Sequence, residues 1–362
     1  MKKRLLSLDA FRGLDMLLIM GMGPVLRSLS KLFDMPTLAE QTQHVAWAGL
    51  HMEDLIFPTF LFLAGMSWPF SLASRRERGA SRGELVKGIV MRMTILFMLG
   101  LVYDGILDFN FGKVRYLSVL GRIGIAWGVA ALTTLFLSPC RTAVLTVLLM
   151  TAYWLASFLL PMAYAPGQHA FAQTVSIVTR FDMWLWPGHL ADSPWGTEFW
   201  LATIGAVGTA FAGIFAGWMV RCQTIAASHK TALLFILGGA SLMLGFVALP
   251  VCPCIKNAWT PTFVLISAGI DLMLFAPMYF IVDVCGSSRW TIPLRVIGMN
   301  AVTIYMLQRF VDFKKVSGFF FGGLSHCCSN PDVAQLVLDV GYIVCCWCVL
   351  YFLYRRKIFL KV

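Results

Sequence analysis

Apolar runs of membrane-crossing length follow one another along almost the whole of this chain, and they decide which solvent it folds in. A helix needs ~20 mainly apolar residues to cross the hydrocarbon core of a bilayer. Runs of that kind cover residues 8–26, 55–73, 89–107, 117–137, 143–162, 199–220, 232–250, 263–284, 294–310 and 336–354 of 362. The ninth is short and polar. Only 13% of the residues are charged, 59% are hydrophobic, and the mean hydropathy is +0.76. Soluble domains carry about a quarter charged residues, so most of this chain is built for lipid. Membrane strands would alternate over ~10 residues, and these runs do not. The pattern predicts an all-α, polytopic membrane helix bundle of about ten transmembrane helices, read as a single domain over residues 1–362.

An even number of spans puts both termini on one side. That side collects Lys2, Lys3, Arg4, the stretch "RRERGASRGELVK", Arg141, Arg221, Lys230, Arg289, Arg295 and the tail "YRRKIF". Fewer cations fall opposite, so the positive-inside bias makes both termini cytoplasmic. The same bias accounts for the net charge of +11 and removes the motive for a nucleic-acid partner. The opening "MKKRLLSLDAFRG" imitates a signal peptide, but it lacks a small-residue cleavage site and runs on into a full span.

Three outer segments are long enough to gather binding groups: residues 27–54, 163–198 and 312–335. In the second, Trp184, Trp186 and Trp195 suit an interfacial aromatic belt or stacking on a sugar ring. In "GAVGTAFAGIFAG" the glycines at 205, 208, 213 and 217 suit close helix packing, or room for a slender ligand arm. Cys252, Cys254, Cys327 and Cys328 fall in outer loops, where they are either bridged in an oxidising compartment or free. Their spacing fits no common zinc pattern, and no metal is expected.

Ionisable groups inside the spans are costly unless paired or watered, which makes them candidates for a site. Asp9, Arg12 and Asp15 share one helix face by their i, i+3 spacing; they suit a structural anchor or the wall of a polar cavity. In "HVAWAGLHMEDLIFPTFLFLAG", His44, Trp47, His51 and Asp54 run at three- and four-residue steps into the second span. One helical face would present them all at the outer end of the bundle. Imidazole suits proton transfer near neutral pH, while Asp54 also suits an N-cap. Arg122 lies within the fourth span and Asn300 within the ninth. Buried polar groups need partners, so these residues are expected to converge with the first two helices on a central polar site.

Six stretches, "SLDAFRG", "HVAWAGLHMEDLIFPTFLFLAG", "RYLSVLGRIGIAW", "NAWTPTFVL", "GMNAVTIY" and "YRRKIF", stand in one order. That ordered set resembles the transmembrane acyltransferases similar to heparan-α-glucosaminide N-acetyltransferase, from Leu6 to the C-terminus. The resemblance implies a compact bacterial-type relative in the inner membrane. It would take acetyl from cytoplasmic acetyl-CoA and deliver it to an amino sugar or glycan on the outer face. It implies His44 as base or acetyl-carrying nucleophile with Asp54, and Asp9, Arg12, Arg122 and Asn300 toward acetyl-CoA. Trp47 and His51 fall toward the acceptor. Two departures stand out: an asparagine expected late in the first helix falls near Gly23, and a histidine expected after "GMN" is replaced near Gln308.

The residues alone leave other readings open. A transporter or flippase for a sugar-like solute uses intramembrane charges equally well, and the acceptor group of a transferase is an amine or a hydroxyl. A second copy of the chain is admitted as a partner.

Overall fold

In chain order the helices are α1 (Leu6–Leu17), α2 (Gly23–Leu32), α3 (Pro36–Gln41), α4 (Met52–Glu77), α5 (Arg82–Tyr103), α6 (Val119–Phe136), α7 (Pro139–Tyr164) and α8 (Ile177–Leu185), followed by α9 (Thr203–Arg221), α10 (Ala227–Ala248), α11 (Pro261–Tyr279), α12 (Ile292–Gly298), α13 (Ala301–Phe310), α14 (Phe313–His326) and α15 (Pro331–Arg355). This computed structural model describes residues 5–109, 114–185 and 200–360, and no strand occurs among them. Among the described residues eight helices are long and apolar enough to cross a membrane: α4, α5, α6, α7, α9, α10, α11 with its π-helical end, and α15. The protein is a multi-pass helical membrane protein. Local chemistry sets several helix starts. Ser81 and Glu84 form a capping box on α5, and the Ser118 and Ser138 hydroxyls cap α6 and α7.

Two of the ten expected spans are not continuous. The first is interrupted at Leu18–Met22, a π-helical turn in which Gly21 takes φ 134°. Pro24 follows at the start of α2 and has no N–H to carry the helical ladder back across that turn. The ninth breaks between α12 and α13, with Asn300 at the N-cap position of α13.

The chain forms two compact units. The first comprises Met1–Val45, Leu50–Ile56 and Phe275–Lys361; the second comprises Ala46–Gly49 and Phe57–Leu274. In the first unit α1 and α12 meet backbone to backbone. A Cβ on Gly13 would strike the Leu294 carbonyl, and one on Gly298 would strike the Asp9 carbonyl. Farther along, the Ser28 hydroxyl of α2 donates to Asp339 of α15 at 2.6 Å.

In the second unit the glycine-rich α9 lies against α4. Gly213 and Gly217 face the carbonyls of Phe62 and Met66, and Gly65 faces that of Ala210. These glycines therefore serve close packing. The most apolar windows of α4, α6 and α9 are each 67% buried, whereas those of α7 and α10 are 11% and 17% buried. That contrast makes the former the core and leaves the latter with apolar faces suited to hydrocarbon.

Candidate functional site

Residues 42–51 are not helical; α4 begins at Met52. The expected single helical face through His44, Trp47, His51 and Asp54 is therefore not formed. A loop brings two of the four together instead. His44 Nδ1 lies 2.9 Å from Asp54 Oδ1. The Asp54 side chain is 1% exposed and that of His44 59% exposed, so a buried carboxylate holds an accessible imidazole. Because a carboxylate oxygen accepts, Nδ1 carries the hydrogen, and in the neutral ring the lone pair is on Nε2.

Asp54 is itself held. Its Oδ2 accepts the backbone N–H groups of Val45 at 3.3 Å and of His51 at 3.1 Å. The contact to His51 is that of an acidic side chain in the first turn reaching back across a helix start, so helix capping and imidazole support come from one carboxylate. His51 points Nδ1 at the Gln43 carbonyl, 3.0 Å away, with Nε2 3.9 Å from Glu40. It positions the segment next to His44. Arg27 Nη1 donates to the Thr42 carbonyl and hydroxyl at 3.3 Å each, and Gln41 accepts from the Met52 N–H at 3.1 Å. The loop carrying His44 is thus tied at both ends.

Also in the first unit, Arg12 lies 3.7 Å from Asp9, and Asp15 is buried. Asn300 is 2% exposed, and neither its amide nitrogen nor its oxygen has a hydrogen-bond partner among the described residues. A buried primary amide in that condition leaves both a donor and an acceptor for a polar guest. Gln308 donates to the Tyr342 hydroxyl at 2.8 Å.

Trp47 and Arg122 belong to the second unit. The Trp47 indole donates to the Phe171 carbonyl at 2.8 Å, which pins its loop. Arg122 is 2% exposed, with its guanidinium carbon 5.8 Å from the Phe57 ring centre and 5.6 Å from that of Trp259. Trp259 is fully buried at φ 48°, unusual for a bulky residue; its indole donates to Thr209 at 2.9 Å. Backbone strain of this kind persists only where the surroundings over-determine it.

Two carboxylates escaped the reading of the sequence. Asp271, in α11, is 1% exposed and accepts from Thr59 at 2.6 Å, its other oxygen having no partner among the described residues. Its signal was present, because a carboxylate in the middle of an apolar run is an intramembrane charge. Asp182, in α8, is fully buried and accepts the Trp200 N–H at 2.6 Å. Burial pushes its carboxyl up to about 7, against the lowering effects of that N–H and of the Arg122 charge. It had no sequence signal, since its burial depends on how the loop folds.

Trp184 is largely exposed, while Trp186 and Trp195 lie outside the described residues. None of the ten cysteines forms a disulfide. Among the described residues no group of three or more His, Cys, Asp or Glu side chains suits a metal ion.

No family model matches this chain. Over 384 aligned residues it is 25% identical to the mouse (Mus musculus) heparan-alpha-glucosaminide N-acetyltransferase, covering 88% of this chain and 56% of that protein. The human (Homo sapiens) protein of the same name is 26% identical over 385, with the same coverage. The family resemblance is to heparan-alpha-glucosaminide N-acetyltransferase. This chain spans little more than half the length of those N-acetyltransferases. Three of the stretches that carry the resemblance to heparan-alpha-glucosaminide N-acetyltransferase hold the features above: the His44–Asp54 pair, Arg122 and Trp259.

Proposed function

We propose that this protein is a membrane-embedded acetyltransferase that moves acetyl from cytoplasmic acetyl-CoA to an amino sugar or glycan amine on the outer face of a bacterial inner membrane. Both termini would be cytoplasmic, and the two units would act as one transferase domain. The observation that carries this reading is the His44–Asp54 pair, an accessible imidazole backed by a buried carboxylate at 2.9 Å. The resemblance to N-acetyltransferases supports the type of group transferred.

In the direct route, Nε2 of His44 takes a proton from the acceptor amine as its nitrogen attacks the thioester carbonyl. A C–N bond forms, the C–S bond breaks, and the CoA thiolate leaves with the proton that His44 returns. In the two-step route, Nε2 attacks the carbonyl and the C–S bond breaks, expelling CoA as the thiolate and leaving an acetyl-imidazolium. The amine then attacks the acetyl carbon, the bond to Nε2 breaks, and the amine's proton passes through the freed imidazole to the thiolate or solvent. Asp54 serves both by holding the ring and stabilising its cationic form. In the first unit, Arg12 and the Asn300 amide, which has no hydrogen-bond partner among the described residues, would meet polar parts of acetyl-CoA. His51 sets the loop, and the acceptor would approach from its side.

CoA release by the detergent-purified protein, with and without a panel of amino sugars, tests the reading. Amine-dependent release with a matching acetylated sugar is expected. Uptake of an intact solute into proteoliposomes, without any acetyl-CoA consumption, would replace it with a transporter.

A further inference from the structure

A cavity of about 620 Å³ lies within the first unit, walled by the π-helical turn and by α2, α14 and α15. Three cations line it, Arg27, Lys31 and Lys314, against one carboxylate, Asp339. That carboxylate is already engaged: Oδ2 accepts from Ser28 at 2.6 Å and Oδ1 from Gln335 at 2.9 Å. Lys31 and Lys314 form no ion pair among the described residues. Like charges gathered around one space repel, so the arrangement favours an anion. Guanidinium and ammonium groups together suit phosphate oxygens.

The remaining polar lining is uncharged. Ser28, Ser317, Gln335 and the Tyr342 hydroxyl offer the donors and acceptors that hydroxyl groups of a ligand require. Gly21 keeps the wall open: a Cβ there would press on Tyr342 at 3.0 Å and Ile343 at 3.2 Å. Just beyond Ser317 on α14, Phe319 and Phe320 are 83% and 69% exposed. A basic, hydroxyl-reading cavity walled by a helix that also exposes phenyl rings fits an amphiphile, and this chain is built for lipid.

We propose that this cavity holds the head group of an anionic phospholipid, the recognised chemistry being a phosphate with neighbouring polyol hydroxyls. The inference is independent of acetyl transfer. Its link to the other site is Arg27, which lines the cavity and also holds Thr42, two residues before His44.

Native mass spectrometry of the full chain in neutral detergent tests it, with phosphatidylglycerol, phosphatidylcholine and glycerol phosphate as probes. Retention of phosphatidylglycerol about tenfold above phosphatidylcholine is expected, with a loss of about tenfold in Lys31→Gln/Lys314→Gln. Both lysines are exposed, so the variant should melt as the parent does; should it fail to fold, each single variant is expected to lose about threefold. Equal retention of the two lipids, or retention unaffected by the lysine changes, overturns the proposal. Glycerol phosphate binding as tightly as phosphatidylglycerol overturns the lipid as occupant and leaves a soluble phosphate ester in its place.

Discussion

His44 Nδ1 sits 2.9 Å from Asp54 Oδ1, and the ring is exposed where the carboxylate is buried. His44→Ala removes an exposed side chain but also a hydrogen bond to a buried carboxylate, so stability should fall by about 1–3 kcal/mol with the fold retained. Acetyl transfer should fall by about two to four orders of magnitude, the usual weight of a positioned proton-transfer group. Parental rates of CoA release in a folded variant would sink the assignment.

Asp54→Asn keeps the shape and one acceptor oxygen but loses the charge. Transfer should fall about a hundredfold or more, because the ring loses the group that orients it and stabilises its cation. Asp54→Ala should cost about 1–3 kcal/mol in addition, since the N–H groups of Val45 and His51 lose their acceptor. Thermal melts of the two variants beside their CoA-release rates distinguish the roles.

Asp182 should make its part of the second unit less stable as pH rises toward neutrality. Burial raises its carboxyl to about 7, above the ~3.9 of an unfolded aspartate. Its contribution to stability is thus fully present below the unfolded value and is lost as pH rises through about 7. Protection of the amides in residues 177–182 and 200–202, corrected for base-catalysed intrinsic exchange, should fall between about pH 4 and pH 7 and level off above that. Asp182→Asn should remove that pH dependence; an unchanged profile would contradict the burial argument.

Thr59 supplies a hydrogen bond to a carboxylate that is otherwise enclosed. Thr59→Val should destabilise by about 1–3 kcal/mol, the cost of stranding a buried polar group. Pairing it with Asp271→Leu should recover most of that loss, because no polar atom is then stranded. A double-mutant cycle in chemical denaturation gives the coupling; simple additivity would show that the contact is unimportant.

Gly213→Ala should destabilise by about 1–3 kcal/mol, because the added methyl meets the Phe62 carbonyl. Gly239→Ala, where a Cβ meets nothing within 4 Å, should be neutral or stabilising by about 0.5–1 kcal/mol. Equal effects at the two sites, measured by melting in one detergent, would argue against close packing of α4 and α9.

Hydropathy by itself determined that this is a multi-pass helical membrane protein, because transfer into lipid is a sum over residues that needs no knowledge of their partners. The candidate groups His44, Asp54, Arg122 and Asn300 were legible for a related reason: a polar side chain in or beside an apolar run is costly wherever the helices go. How they are used was not. Helical spacing misplaced the loop before α4, where a carboxylate from the first turn folds residues 44–51 back on itself. The breaks at Gly21 and Asn300 depend on what α1 and α12 meet. The burial of Asp182 and the gathering of Arg27, Lys31 and Lys314 around one cavity join residues far apart in the chain. Only the tertiary structure decides such pairings, because their energies depend on distance and burial, which the order of residues does not contain.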